Sequence, residues 1–259
     1  MNLVALPAFA DNYIWMVHDD SRAFVVDPGD AAPVIAALKS RRLQLAGILV
    51  THHHADHVGG IDALRGLFDE GRSVVYGPAR EPIPEPFVPL RGGDSVALLG
   101  LRFEVLDVPG HTAGHVAYVQ RDVPSDPLLF CGDTLFSAGC GRLFEGTPAQ
   151  MAASLATLAA LPDDAQVCCT HEYTLSNLRF AAAVEPGNEA VAAHTRRCQT
   201  LREAGLSTLP STVALERRIN PFLRCGEPAV VAAARREGAA GDEPVAVLAA
   251  LRAWKNRFR

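Results

Sequence analysis

The 259-residue chain reads as an α/β protein that gives way to a helical tail, and three observations carry that reading. Short apolar runs of strand type alternate with helical stretches as far as about Pro162. Potential metal ligands follow four of those runs, as expected of a sheet that presents a site at the carboxyl ends of its strands. Beyond His171 the texture becomes alanine-rich and helical.

Taken in order, Phe24-Val25-Val26 is a strand closed by the turn Asp27-Pro28-Gly29, and Pro33 to Leu38 is helical. Gly47 to Val50 is a second strand, Gly60 to Phe68 is helix-like, and Ser73 to Tyr76 returns to strand. Phe103 to Leu106, Leu128 to Phe130 and Gln166 to Cys168 complete the strand-like runs. Thr147-Pro148-Ala149-Gln150 starts a helix, with Thr147 as cap, Pro148 in the first turn and Gln150 completing a capping box. Leu175 to Val184, Asn188 to Ala204, Glu227 to Arg236 and Pro244 to Phe258 form the helical tail, punctuated by Pro186, Gly205 and Pro221. The expected organisation is an α/β domain carrying the potential metal ligands over residues 1–173 and a helical domain over 174–259. No Gly-x-Gly-x-x-Gly follows a strand and no Walker loop occurs, so no nucleotide cofactor is implied.

The chemistry concentrates in Thr51-His52-His53-His54-Ala55-Asp56-His57. Side chains of extended backbone alternate in direction, so His52 and His54 can face one ion while His53 faces away; Asp56 and His57 can then reach a second. Imidazole and carboxylate suit zinc or another borderline divalent metal, and no cysteine lies in the run to close a structural site. His111 and His115 on a turn, Asp133 in Gly-Asp-Thr and His171 in Thr-His-Glu repeat the signal, so that seven of the nine histidines fall in three short segments.

Net charge is −5, which gives no general pull toward nucleic acid or an anionic membrane. The start lacks a basic segment with a signal-length apolar core, and no stretch approaches the roughly 18 apolar residues of a membrane span, so a cytoplasmic protein is expected. The six cysteines contain no pair at two-residue spacing and are expected to be reduced, structural thiols.

These motifs resemble the metallo-β-lactamase superfamily: His52-x-His54-x-Asp56-His57, Pro-Gly-His111-Thr-x-Gly-His115, Gly-Asp133-Thr and His171 match its five-segment signature. Within it the chain is most similar to the glyoxalase II family of hydroxyacylglutathione hydrolases. That similarity runs from Phe9-Ala10-Asp11-Asn12-Tyr13-Ile14-Trp15 through Ser137 to Thr147 and His171-Glu172-Tyr173-Thr174. It continues in Leu209-Pro210-Ser211-Thr212 and Asn220 to Arg224, and ends with Arg252-x-x-Lys255. The resemblance implies a four-layer αββα sandwich with a C-terminal helical domain.

It further implies His52, His54 and His111 on one divalent ion, Asp56, His57 and His171 on another, and Asp133 bridging them. The two ions would be zinc, with iron or manganese chemically admissible. The implied reaction is hydrolysis of S-D-lactoylglutathione and related 2-hydroxyacylglutathiones to a hydroxy acid and glutathione, the second step of methylglyoxal detoxification. Asp56 and Asp133 are its implied catalytic carboxylates, and Arg142, Tyr173, Arg252 and Lys255 its glutathione-binding residues. Phe144 falls where many relatives carry tyrosine, so a hydroxyl contact is missing there, whereas Arg142 replaces a lysine and keeps the charge. A monomer with a glutathione thioester as its partner molecule, and with no nucleic acid or membrane, is expected.

On residue type alone, Arg252 and Lys255, three apart on a terminal helix, better suit its solvated face or the stabilisation of its carboxyl end, and only the family resemblance reverses that reading. Asp27 and Thr51 suit either ligand orientation or an ordinary turn and strand end. His53 is read as packed beside the site and His115 as a hydrogen-bonding support. The competing enzyme reading is a mononuclear iron persulfide dioxygenase of the same superfamily, which needs two histidines and one aspartate. A nuclease is disfavoured by the acidic balance, and a non-catalytic metal-stabilised protein by seven potential ligands, more than a closed four-coordinate site uses.

Overall fold

The computed structural model describes residues 1–67, 74–121 and 126–258; the expected helix end at Phe68 and strand start at Ser73 lie outside the described residues. The chain divides into two compact units. One consists of the described residues of Met1–Asp107 and Ala113–Gly132, the other of those of Val108–Thr112 and Asp133–Arg259.

The first unit holds β1 (Asn2–Ala8), β2 (Asn12–His18), β3 (Arg22–Val26), α1 (Ala31–Arg41), β4 (Gln44–Leu49), α2 (Ala55–Val58), α3 (Ile61–Arg65), β5 (Val74–Pro78), β6 (Val88–Leu90), β7 (Ser95–Leu98), β8 (Leu101–Asp107), β9 (Val116–Gln120) and β10 (Leu128–Gly132). Strands β1 to β6 form one sheet in sequence order, antiparallel from β1 to β3 and parallel from β3 to β6. Strands β7 to β10 form an antiparallel meander.

Strands buried on both faces read as continuous apolar runs, and β2, β3 and the end of β4 do so. One face of the first sheet, with Ile14, Met16, Val25 and Ile48, packs with Val34 and Leu38 of α1 and Ile61 and Leu64 of α3. The other side carries Phe24, whose ring meets Phe103 of β8 edge-on at 5.5 Å and Phe130 of β10 at 6.4 Å. The first unit is therefore a helix layer on a sheet whose far face meets the meander.

Register then places the chemistry. Val26 pairs with Leu49 at the carboxyl ends of two parallel neighbours, so the turn at Asp27 and the segment from Thr51 leave the sheet side by side.

The second unit holds a small antiparallel hairpin, β11 (Leu135–Phe136) and β12 (Gly139–Cys140), then α4 (Pro148–Ala159), β13 (Gln166–Cys169), α5 (Thr174–Val184), α6 (Glu189–Glu203), β14 (Ser211–Thr212), α7 (Val213–Ile219), α8 (Pro228–Arg236) and α9 (Pro244–Arg257). The Thr147 capping box forms as the sequence predicts, with both reciprocal hydrogen bonds to Gln150. Asn188 caps α6 by accepting from the backbone of Ala190 and Val191. Leu178, Ala181, Val191, Cys198 and Ile219 form an apolar core with Ala138 of the hairpin turn. Phe180 of α5 gathers Phe222, Trp254 and Phe258 around it, which seats the C-terminal helix.

All six cysteines are buried and free, as expected. Burial raises the pKa of Cys140, Cys168 and Cys169, which keeps these thiols protonated. No helix among the described residues is long and apolar enough to cross a membrane.

Candidate metal centre

In the first unit the ligand run leaves β4 extended and then turns into the short helix α2, with His54 as its cap. His52 Nε2 and His54 Nδ1 stand 3.1 Å apart. Two nitrogens at 2.0–2.1 Å from one tetrahedral ion would be separated by about 3.3 Å, so the pair fits a shared cation. His53 points elsewhere: its ring and its backbone N–H both meet Glu81, which also accepts from the Gly114 backbone at 2.7 Å. The alternation read from the sequence is present. Helix α2 then supplies Asp56 and His57 one turn further on, with His57 Nε2 at 3.7 Å from Asp56 Oδ2.

Buried Asp27 organises these ligands. Its Oδ1 accepts from the Thr51 backbone and its Oδ2 from the Thr51 hydroxyl, each at 2.7 Å, while His57 Nδ1 lies 3.1 Å from Oδ2. The Thr51 hydroxyl in turn meets His52 Nδ1 at 3.1 Å. One carboxylate thus engages the Nδ1 side of two imidazoles, directly or through Thr51, and leaves Nε2 as the coordinating nitrogen. Asp27 and Thr51 thus meet the candidate ligand imidazoles, more than an ordinary turn or strand end requires. Asp27 adopts φ 52°, unusual for a residue with a side chain, and Gly29 beyond it passes so close to Asp56 that a Cβ would lie 1.9 Å from that backbone oxygen. Asn12 donates to Asp56 Oδ2 at 3.0 Å, and His115 stacks on His52 with ring centroids 4.6 Å apart.

In the second unit Asp133 spreads its two oxygens between two histidines: Oδ2 is 3.4 Å from His111 Nε2, and Oδ1 is 3.4 Å from His171 Nε2. That is the arrangement expected of a carboxylate shared by two ions. His111 Nδ1 lies 2.9 Å from the Arg142 carbonyl, which leaves Nε2 as the nitrogen that could ligate an ion. Gly141 makes this possible, because a Cβ there would fall 1.9 Å from the Asp133 carbonyl oxygen. His171 lies two residues beyond the end of β13 and stacks on Tyr173, centroids 4.7 Å apart and planes within 3°. The exposed Phe144 ring meets His111 edge-on. Both units therefore carry His and Asp side chains of the types that suit a metal, each held by hydrogen-bonding partners.

The residues expected to bind substrate all belong to the second unit. Arg142 is exposed, and Tyr173 is 36% exposed. Arg252 is only 6% exposed; its Nη1 donates to the Cys140 carbonyl at 2.7 Å and its guanidinium lies over Phe222, so the solvated-face reading fails for it. Lys255 donates to the Ser176 carbonyl at 3.0 Å and sits over Phe180. Burial, with repulsion from Arg252, Arg179 and Arg142, pushes its pKa down to about 8. Sequence reasoning missed Glu81, an isolated acid between Arg80 and Pro82, and gave Asn12 no role although it lies in a quoted motif.

This fold and its ligand segments are those of the metallo-β-lactamase superfamily, whose family model matches residues 9–171. The model described as the hydroxyacylglutathione hydrolase C-terminus matches residues 172–258. The chain is 60% identical over 258 residues to hydroxyacylglutathione hydrolase from Albidiferax ferrireducens, covering 100% of each chain. It belongs to the hydroxyacylglutathione hydrolase family. Among solved structures, ETHE1 from Myxococcus xanthus is similar at a TM-score of 0.65 and 26% identity, covering 98% of each chain. TTHA1623 in a di-iron-bound form is similar at a TM-score of 0.59 and 27% identity, covering 86% of this chain and 100% of that one. Full-length identity at 60% outweighs likeness near 26%, so the family match favours the thioester hydrolase over the dioxygenase alternative.

Proposed function

We propose that the protein hydrolyses S-D-lactoylglutathione and related 2-hydroxyacylglutathiones, releasing the hydroxy acid and glutathione in the second step of methylglyoxal detoxification. The single observation that carries this reading is the 60% identity over the whole chain with a hydroxyacylglutathione hydrolase. His52, His54 and His111 would hold one divalent ion, Asp56, His57 and His171 the other, and Asp133 both. Zinc is the first candidate, and the di-iron form of TTHA1623 keeps iron in view. Two such ions, when bound, supply a hydroxide nucleophile at neutral pH and polarise the carbonyl under attack.

The chain's own residues do the rest. Asp27 and the Arg142 carbonyl engage the Nδ1 sides of His57 and His111, so each presents Nε2 as a base. Asp56, steadied by Asn12, accepts the proton of the attacking water. The leaving thiolate needs no dedicated acid, since a thiol has a pKa of about 8.5. Arg142, Arg252 and Lys255 offer charge to the glutathione carboxylates, and Tyr173 offers a hydroxyl and a ring face. Residues 1–173 are then the catalytic domain and 174–259 the substrate-binding one. The protein acts as a cytoplasmic monomer on this reading.

The test is the hydrolysis of S-D-lactoylglutathione by purified protein, followed as loss of thioester absorbance, beside a thioester that lacks the glutathione carboxylates. Fast turnover of the first and poor turnover of the second supports the proposal. Equal rates on both, or none on the first, contradicts it.

A further inference from the structure

The hairpin of β11 and β12 begins two residues after Asp133 and ends two residues before Arg142, the residue whose carbonyl meets His111. The Gly141 N–H donates to the Thr134 carbonyl at 3.3 Å, and the Thr134 hydroxyl to the Val108 carbonyl at 3.3 Å, which ties both hairpin ends to the segment that carries His111. Anything that sets the hairpin's position therefore acts on Asp133 and His111 together.

Its own backbone is held by side chains from far along the chain. Asn220 Nδ2, fully buried, donates to the Phe136 carbonyl at 3.1 Å and the Gly139 carbonyl at 2.9 Å. Asn177 Nδ2 donates to the Ser137 carbonyl at 3.0 Å, and Arg252 takes the Cys140 carbonyl. Glu216, with no exposed surface, accepts the Ala138 N–H at 2.7 Å, and is itself held by Ser211 and by Asn220 Nδ2 at 3.1 Å. Ala138 has φ 55°, a conformation that an L side chain adopts when its surroundings impose it. A two-residue turn between two-residue strands cannot fix itself this firmly, and four carbonyls and one N–H bonded to side chains at positions 177 to 252 exceed what covering a short hairpin requires.

We infer that Asn220 and Glu216, with Asn177, are positioning residues of the hydrolytic site: they lock the 136–140 hairpin and through it the relative placement of Asp133 and His111. The inference rests on the proposed metal-ligand roles of those two residues. Outer partners of metal ligands typically govern affinity or activity by about 10- to 100-fold, and the hairpin is such a partner at one remove.

The experiment measures zinc affinity of the metal-free protein, kcat and KM for S-D-lactoylglutathione, and thermal midpoint, for wild type, Asn220→Ala, Asn177→Ala and Asn188→Ala. Asn188 caps α6 and bonds the Arg218 carbonyl away from the hairpin, so its removal reports simple destabilisation of the same unit. Asn220→Ala is expected to lose about 10-fold or more in zinc affinity and in kcat with KM within about twofold, Asn177→Ala to shift the same way by less, and Asn188→Ala to lower only the midpoint. Asn220→Ala and Asn177→Ala proteins with wild-type zinc affinity and kcat would overturn the inference. If Asn220→Ala does not fold, Asn177→Ala decides it alone by the same readouts. Wild type that binds no zinc and cleaves no thioester would instead overturn the proposed function, and this inference with it.

Discussion

His57 presents its Nδ1 to Asp27 Oδ2 at 3.1 Å, the same oxygen that accepts the Thr51 hydroxyl at 2.7 Å. The carboxylate is buried at the foot of the ligand run, and the two imidazoles it governs lie with ring centroids 4.0 Å apart. Asp27→Asn would turn an acceptor into a donor facing an N–H and favour the wrong tautomer of His57. Zinc affinity of the metal-free protein should fall about 10- to 100-fold, measured by competition with a chelator. Unchanged affinity would remove Asp27 from the centre.

His171 reaches Asp133 from the end of a separate strand. His171→Ala is expected to lower occupancy of one ion and to cut turnover by about 100-fold or more, read by metal analysis beside the thioester assay. Normal metal content with wild-type turnover would show that it is not a ligand.

Lys255 has a pKa lowered to about 8, so its charge is present below that pH and lost above it. If the charge holds a glutathione carboxylate, KM should rise as pH climbs through about 8 to 9, with the midpoint moved upward at saturating substrate because a bound anion favours the protonated amine. Lys255→Arg should flatten that limb, since a guanidinium stays charged. A limb that survives the substitution would assign it to another group.

Arg252→Ala removes a buried guanidinium that already donates to the Cys140 carbonyl. Loss of charge-assisted bonds of about 1.5 to 3 kcal/mol predicts a fall of roughly 10- to 150-fold in kcat/KM. If substrate binding dominates, the loss appears in KM and is absent for a thioester without glutathione carboxylates; if hairpin support dominates, kcat falls for both substrates. Wild-type kinetics on both substrates would exclude both roles.

The candidate ligands were legible in sequence because such groups must be dense and of fixed type: His52, His54, Asp56 and His57 sit within six residues, and each other candidate follows an apolar run. The strands containing Val25, Ile48 and Val167 were legible because burial on both faces leaves nearly unbroken apolar stretches. Helix α7 was not, because its inward position is Glu216, and Leu215-Glu216-Arg217-Arg218 reads as a solvated face until the partners of that carboxylate are known. On residue type alone Arg252 reads as a solvated face for the same reason, until its buried partners are known. Glu81 gave no local signal, since it meets His53 across 28 positions and lies in a proline-rich stretch. Long-range polar pairing has no periodicity, so sequence pattern cannot reveal it.

The central claim is a hydrolytic centre of two ions that share Asp133, whose oxygens lie 3.4 Å from His111 and from His171. Its most direct test is titration of the metal-free protein with zinc while S-D-lactoylglutathione hydrolysis is followed, with bound metal counted at each point. The account predicts that activity reaches its plateau at about two ions per chain. A plateau at one ion per chain, with no further gain from a second, would contradict it.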